Sequence, residues 1–165
     1  SIADITRSAR VAQGTFYIHF KSKRELIEGY VRYVSRELRK ETQKYAIVFS
    51  DRRDHERVGM LAFYKFCSEH REIYRIIPEF EMAGKEVGLW YYQVMARGYA
   101  SGLAKGIQKG EIRDMPPDFL AISLMGLTHF IGLKWIIWAA EDTPKIQRSL
   151  FEDIMNLIFH GIASG

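Results

Sequence analysis

Cysteine is almost absent from this chain of 165 residues: Cys67 stands alone, so no disulfide can close within the sequence and no paired-cysteine metal motif exists. The five histidines, His19, His55, His70, His129 and His160, are scattered, and none is spaced His-x-x-x-His, so no metal site is expected. Signatures of catalysis are missing as well. There is no glycine-serine nucleophile elbow and no phosphate-cradling glycine loop. Cys67 reads as packing on an apolar helix, and Asp51 with His55, four residues apart, reads as a surface pair. The expectation is a protein that is not an enzyme, with no catalytic residues, no cofactor and no metal.

Long hydrophobic runs are also missing. The longest uncharged stretch, 119–133, is broken by Ser123, Thr128 and His129 and falls short of the roughly 20 residues needed to span a bilayer, so it reads as a buried helix. No membrane partner is expected. The opening residues do not read as a charged, apolar leader, and with cysteine so scarce a cytoplasmic location is expected. Period-two alternation with hairpin turns is absent from end to end, which leaves an all-α fold.

Apolar residues make up 47% and charged residues 27%, the balance of a folded globular protein. Net charge is +4, unevenly placed: residues 1–44 hold ten Lys/Arg against five Asp/Glu, while residues 45–165 hold fourteen against fifteen. A basic front end suits an anionic partner, nucleic acid before membrane, because no large apolar face accompanies the charge.

Helical signals define a series of elements. Short helices are expected over 2–9, with Ser1 capping and Asp4 three residues on, and over 12–19. Ser22 and Glu25 form a capping box that opens a helix to about Lys44, with the apolar stripe Leu26, Ile27, Tyr30, Val31, Val34 and Leu38. Asp51 caps a helix ending near Glu69, and Pro78 interrupts a short segment from about Arg71. A long helix is expected over 85–109 with Gly110 as its stop, an apolar one over 116–140 opened by Pro116 and Pro117, and a last one over 143–162 opened by Thr143-Pro144. Gly98, Gly102, Gly106 and Gly110 recur every four residues, which suits close helix packing.

Residues 1–26 read SIADITRSARVAQGTFYIHFKSKREL: two short helices, a tight turn between them, then a capped longer helix, the layout of a helix-turn-helix unit. The segment resembles the TetR (tetracycline repressor) family signature at Asp4-Ile5, Ala9, Val11, Gly14-Thr15, Tyr17, Phe20, Ser22-Lys23 and Leu26. The resemblance implies a double-stranded DNA operator as partner. It implies that Thr15, Tyr17 and Lys23 hold phosphates, while Gln13, Gly14 and His19 face the bases. Two departures stand out. Arg10 occupies a turn position where the family usually has glycine, and the family's domain has a further helix ahead of the position of Ser1, so the helix-turn-helix reads as incomplete at its start.

The resemblance also divides the chain. Residues 1–26 would form the DNA-binding domain, residues 22–44 a linker helix, and residues 45–165 a helical effector-binding and dimerisation domain. Aromatic and methionine side chains gather in the middle, among them Tyr74, Phe80, Met82 and Tyr99. Phe63, Tyr64, Cys67, Trp90, Tyr91, Met95, Met125 and His129 are the candidate contacts for a small, mostly apolar or aromatic inducer. Such side chains at helical spacing are more often plain core, so the pocket reading rests on the resemblance. The last two helices would form a homodimer interface through Leu127, Ile131, Leu150, Ile154, Leu157 and Ile158 and set two reading heads on a palindromic operator. The expected function is a ligand-responsive repressor. The alternatives are a helical small-molecule-binding protein or enzyme on the same scaffold without operator binding, and an interaction module using the apolar C-terminal helices.

Overall fold

The computed structural model describes residues 1–46, 51–76, 85–140 and 146–161. Pro78, Phe80, Met82 and Thr143-Pro144 lie outside them, as does the side chain of Tyr74. The described residues form eight α-helices and one π-helical segment, with no strand. The helices are α1 (Ile2–Ala9), α2 (Gln13–His19), α3 (Lys23–Ala46), α4 (Arg52–Glu69), α5 (Arg71–Ile76), α6 (Lys85–Gln108), α7 (Pro117–Gly132), which runs into the π segment Leu133–Ile137, and α8 (Arg148–His160).

Local chemistry fixes most of the helix ends. Ser1 and Asp4 form a reciprocal capping box at the start of α1. At α3 half of the expected box is present: Ser22 Oγ accepts the Glu25 N–H at 3.2 Å, but the Glu25 carboxylate reaches past Ser22 to accept the Lys21 N–H. Asp51 accepts the Arg53 N–H at 2.7 Å and caps α4. Pro117 opens α7, where its missing N–H costs nothing. Gly110, at φ 74°, ends the turn after α6 in the left-handed conformation that glycine tolerates best.

Two boundaries differ from expectation. The apolar helix was expected to stay α-helical to Ala140, but after Gly132 it widens by one residue per turn, and the Trp138 N–H reaches back five residues to the Leu133 carbonyl at 2.9 Å. The Arg71 guanidinium then donates to the Ile137 and Ala139 carbonyls, supplying partners where the helix ends. The last helix begins at Arg148; Ile146 and Gln147 are not helical, and Gln147 is its N-cap.

The core sits where α3, α4, α6, the π segment and α8 converge. Val31, Met60, Tyr64, Cys67, Val87, Tyr91, Ile136, Phe151, Ile154 and Met155 are buried there. A second cluster of Val34, Leu38 and Phe66 ties α3 to α4, and a third of Ala100, Leu103 and Ala121 ties α6 to α7. A buried polar knot joins α4 to α6: the Glu56 carboxylate pairs with the Arg52 guanidinium and accepts the Tyr99 hydroxyl, and Arg52 donates to the Gly102 carbonyl at 3.2 Å. One of the four spaced glycines follows from the packing: a Cβ on Gly106 would meet Ile112 Cδ1 at 2.8 Å, whereas one on Gly102 would be in ordinary contact with Arg52 at 3.7 Å.

Candidate nucleic-acid interface

α1 and α2 pack on each other through a turn held by two backbone bonds. The Val11 N–H donates to the Thr6 carbonyl at 3.0 Å and the Arg10 N–H to the Arg7 carbonyl at 3.1 Å, a Schellman arrangement. It places Arg10 at φ 57°, ψ 40°, the left-handed region that disfavours a residue with a Cβ. Thr6 is buried, its hydroxyl donating to the Ile2 and Ala3 carbonyls.

α2 is anchored by one residue. Phe16 is buried and contacts Tyr17 and Phe20 edge-on and tilted, with ring centroids 5.4 and 5.6 Å apart. The opposite face stands in solvent: Gln13, Gly14, Tyr17 and Ile18 are exposed and share that face by helical spacing, while His19 is exposed at the helix end. Thr15 is half-buried, and its N–H donates to the Ala12 carbonyl. A side chain on Gly14 would meet nothing within 4 Å, so the backbone there is open to close approach. Lys23 is exposed in the first turn of α3, where amide donors and the helix dipole favour an anion. Its neighbour Arg24 is differently employed, paired with Glu28 at 2.9 Å and Glu86 at 3.1 Å. The arrangement is a rigid short helix presenting hydrogen-bonding groups beside positive charge, which is the equipment for reading duplex DNA. Ile18 is the residue that sequence reasoning passed over on this face; an apolar letter on a short helix looks like core until the burial of Phe16 fixes the helix's rotation.

The residues expected around an effector are partly brought together. Tyr64, Cys67 and Tyr91 are buried in the central cluster, and Phe63, Trp90 and Met95 pack against it. Met125 and His129 are half-buried on α7 and lie outside that cluster. Burial raises the pKa of the Tyr64 and Tyr91 phenols and of the Cys67 thiol, and it lowers that of His129, so all four stay neutral at physiological pH. The Tyr64 hydroxyl is buried without a hydrogen-bond partner among the described residues. Trp90 lies at the margin of the cluster, the Arg32 guanidinium 4.4 Å above its ring. The two form part of a depression of about 230 Å³ between α3 and α6 that also takes in Arg24, Glu28, Glu86 and Val87.

The expected dimer residues mostly face inward. Ile154 is 4% exposed, and Ile131, Leu150 and Ile158 are half-buried against the same central cluster, so within the protomer only part of each side chain is left for a second subunit. The reason is the width of the apolar arc on α8, where Phe151, Ile154 and Met155 already serve the protomer's own core. Leu127 is half-buried and Leu157 is exposed. Exposed apolar side chains also gather on α7 and just beyond, at Phe119, Ile122, Phe130, Trp135 and Trp138, while Leu61, Leu89 and Tyr92 are exposed on other helices. With its π segment this helical run spans Pro117–Ile137, 21 residues, long and apolar enough to cross a membrane by length and composition, which the uncharged stretch alone was not expected to be. Among the described residues no group of His, Cys, Asp or Glu is placed to hold a metal.

A helical fold that opens on a helix-turn-helix with its second helix free has the layout by which such units meet duplex DNA. Comparison with known proteins makes this specific: residues 1–30 match the family model described as bacterial regulatory proteins, tetR family. Residues 1–30 thus resemble the opening segment of that family, and the described residues share the fold of solved TetR-type regulators. A Clostridium perfringens protein assigned to regulation of fatty acid metabolism superposes with a TM-score of 0.82 at 19% identity, over 100% of this chain and 90% of that one. The transcriptional regulator FadR from Bacillus subtilis, solved with stearoyl-CoA, gives 0.81 at 15% identity over 99% and 89%. AibR, solved with isovaleryl coenzyme A and operator DNA, gives 0.73 at 14% identity over 96% and 86%. No curated protein matches the chain.

Proposed function

We propose that this protein is a ligand-responsive transcriptional regulator, a cytoplasmic repressor without enzymatic activity that leaves its operator when an acyl-coenzyme A thioester binds. The observation that carries the reading is the free face of α2, Gln13, Gly14 and Tyr17, presented beside Lys23 inside the segment that matches the tetR family model. On this reading Thr15, Tyr17 and Lys23 hold phosphates and fix register, whereas Gln13, Gly14 and His19 address base edges. Residues 1–26 are the DNA-binding unit, α3 is the link, and the rest of the chain holds the effector and the second subunit.

The effector class is supported by the regulators solved with stearoyl-CoA and isovaleryl coenzyme A and by the apolar cluster of Phe63, Tyr64, Tyr91 and Met95, which suits an acyl chain. Dimerisation is assigned to the exposed apolar stripe of α7, where Phe119, Ile122 and Phe130 recur at helical spacing, with Leu157 exposed on α8. A second copy across a two-fold axis covers that stripe and sets two reading heads on a palindromic operator. α3 is the lever, because its first turn carries Lys23 and its later residues Val31, Val34 and Leu38 are buried in the body.

The test is selection of bound duplexes from a random pool with the full-length protein, followed by titration of the selected duplex with acyl-coenzyme A thioesters of increasing chain length. The expected result is a specific palindromic duplex released by one range of chain lengths, with a coupling of about 1–3 kcal/mol and the reciprocal loss of effector affinity on DNA. A protein that binds thioesters but retains no duplex at moderate salt is instead a helical ligand-binding protein.

A further inference from the structure

Ile18 is 78% exposed, although it belongs to a helix whose orientation is fixed by the burial of Phe16 on the other side. It shares the solvent face with Gln13, Gly14 and Tyr17, and Tyr17 beside it is 57% exposed. Folding of the protomer does not explain an isoleucine here, since its side chain packs into none of the three core clusters. Nor is it placed on the apolar stripe of α7 assigned to the second subunit.

We propose that Ile18 is a specificity-determining residue that reads the 5-methyl group of one thymine in the major groove. The inference rests on the regulator reading above and adds to it an apolar contact among the polar ones. Thymine is the base that offers a methyl group to the major groove, and a contact with it requires an apolar side chain held at the outer surface of the reading helix. Isoleucine suits the task because branching at Cβ leaves it few rotamers to lose on docking. Its neighbours are complementary: Gln13 and His19 hydrogen-bond base edges, and the exposed Gly14 lets the backbone come close enough for a short branched side chain to reach the bases.

The experiment removes the methyl and the side chain separately. The duplex selected by the full-length wild-type protein is resynthesised with each thymine in turn replaced by deoxyuridine, which deletes the methyl alone, and its affinity is measured for wild type and for Ile18→Ala. At one thymine the wild type should lose affinity about fourfold, the worth of one buried methyl, whereas Ile18→Ala should bind both duplexes equally. The same deoxyuridine penalty in both proteins, or no penalty at any thymine, overturns the proposal and leaves the regulator reading intact. If the wild type retains no duplex at all, the regulator reading fails and this inference fails with it.

Discussion

Replacing Arg10 by glycine should stabilise the protein. The Schellman bonds from the Val11 and Arg10 amides to the Thr6 and Arg7 carbonyls hold this residue at φ 57°, where its Cβ crowds the adjacent carbonyl. The left-handed conformation costs a residue with a side chain on the order of 1–2 kcal/mol. Glycine removes that cost but brings extra freedom to the unfolded chain, worth roughly 0.5–1 kcal/mol in the other direction. The net expectation for Arg10→Gly is a gain of about 0–1.5 kcal/mol, centred on roughly 0.75, a rise in Tm of up to roughly 6 °C for a protein of this size. Arg10 is exposed, so Arg10→Ala, which keeps the Cβ, should stay within about 0.5 kcal/mol of wild type. Urea denaturation of the three proteins at equal concentration separates the outcomes. A glycine variant no more stable than the alanine variant would show that the turn carries no such strain.

Four further substitutions test other parts of the structure. Glu56→Ala leaves the Arg52 guanidinium, 11% exposed, without its carboxylate and should cost about 3 kcal/mol in a urea melt; a loss under about 1 kcal/mol would mean that the knot between α4 and α6 is solvated. Tyr64→Phe deletes a buried hydroxyl that has no partner, so stability should hold or rise by up to about 1 kcal/mol, and a clear loss would reveal a hydrogen bond in solution. Phe130→Glu, on the free stripe of α7, should turn dimers into helical monomers by sedimentation and circular dichroism, whereas Ile154→Glu, buried in its own protomer, should unfold the chain; the opposite pattern would move the interface to α8.

Helix order and the helix-turn-helix were legible in the sequence because their signals are local. Ser1 with Asp4, Asp51, Pro117 and Gly110 each act within a few residues of themselves, and each stands where the sequence places it. That Arg10 is unusual in its turn came from the family resemblance, and the left-handed φ of 57° from the structure. What the sequence hid depends on neighbours distant in the chain. The π turn after Gly132 follows from packing around Ile136 and Ile137 and from the reach of Arg71, none of which a 3.6-residue period encodes. Ile154 and Phe130 look alike as letters on apolar helices, yet one is buried in the central cluster and the other stands in solvent, because a wide apolar arc does not say which part of it meets its own protomer. Ile18 was hidden by the same ambiguity, resolved once Phe16 is seen to anchor α2 from the opposite side.

The central claim, that α2 and the start of α3 dock on duplex DNA with Lys23 on a phosphate, is tested most directly by the salt dependence of binding. Affinity of the full-length protein for its selected duplex, measured over a series of salt concentrations for wild type and Lys23→Ala, gives two slopes. Loss of one phosphate contact predicts weaker binding of the variant to every sequence alike and a slope smaller in magnitude by about 1. Unchanged affinity together with an unchanged slope would contradict the docking, and with it the reading of this end of the molecule.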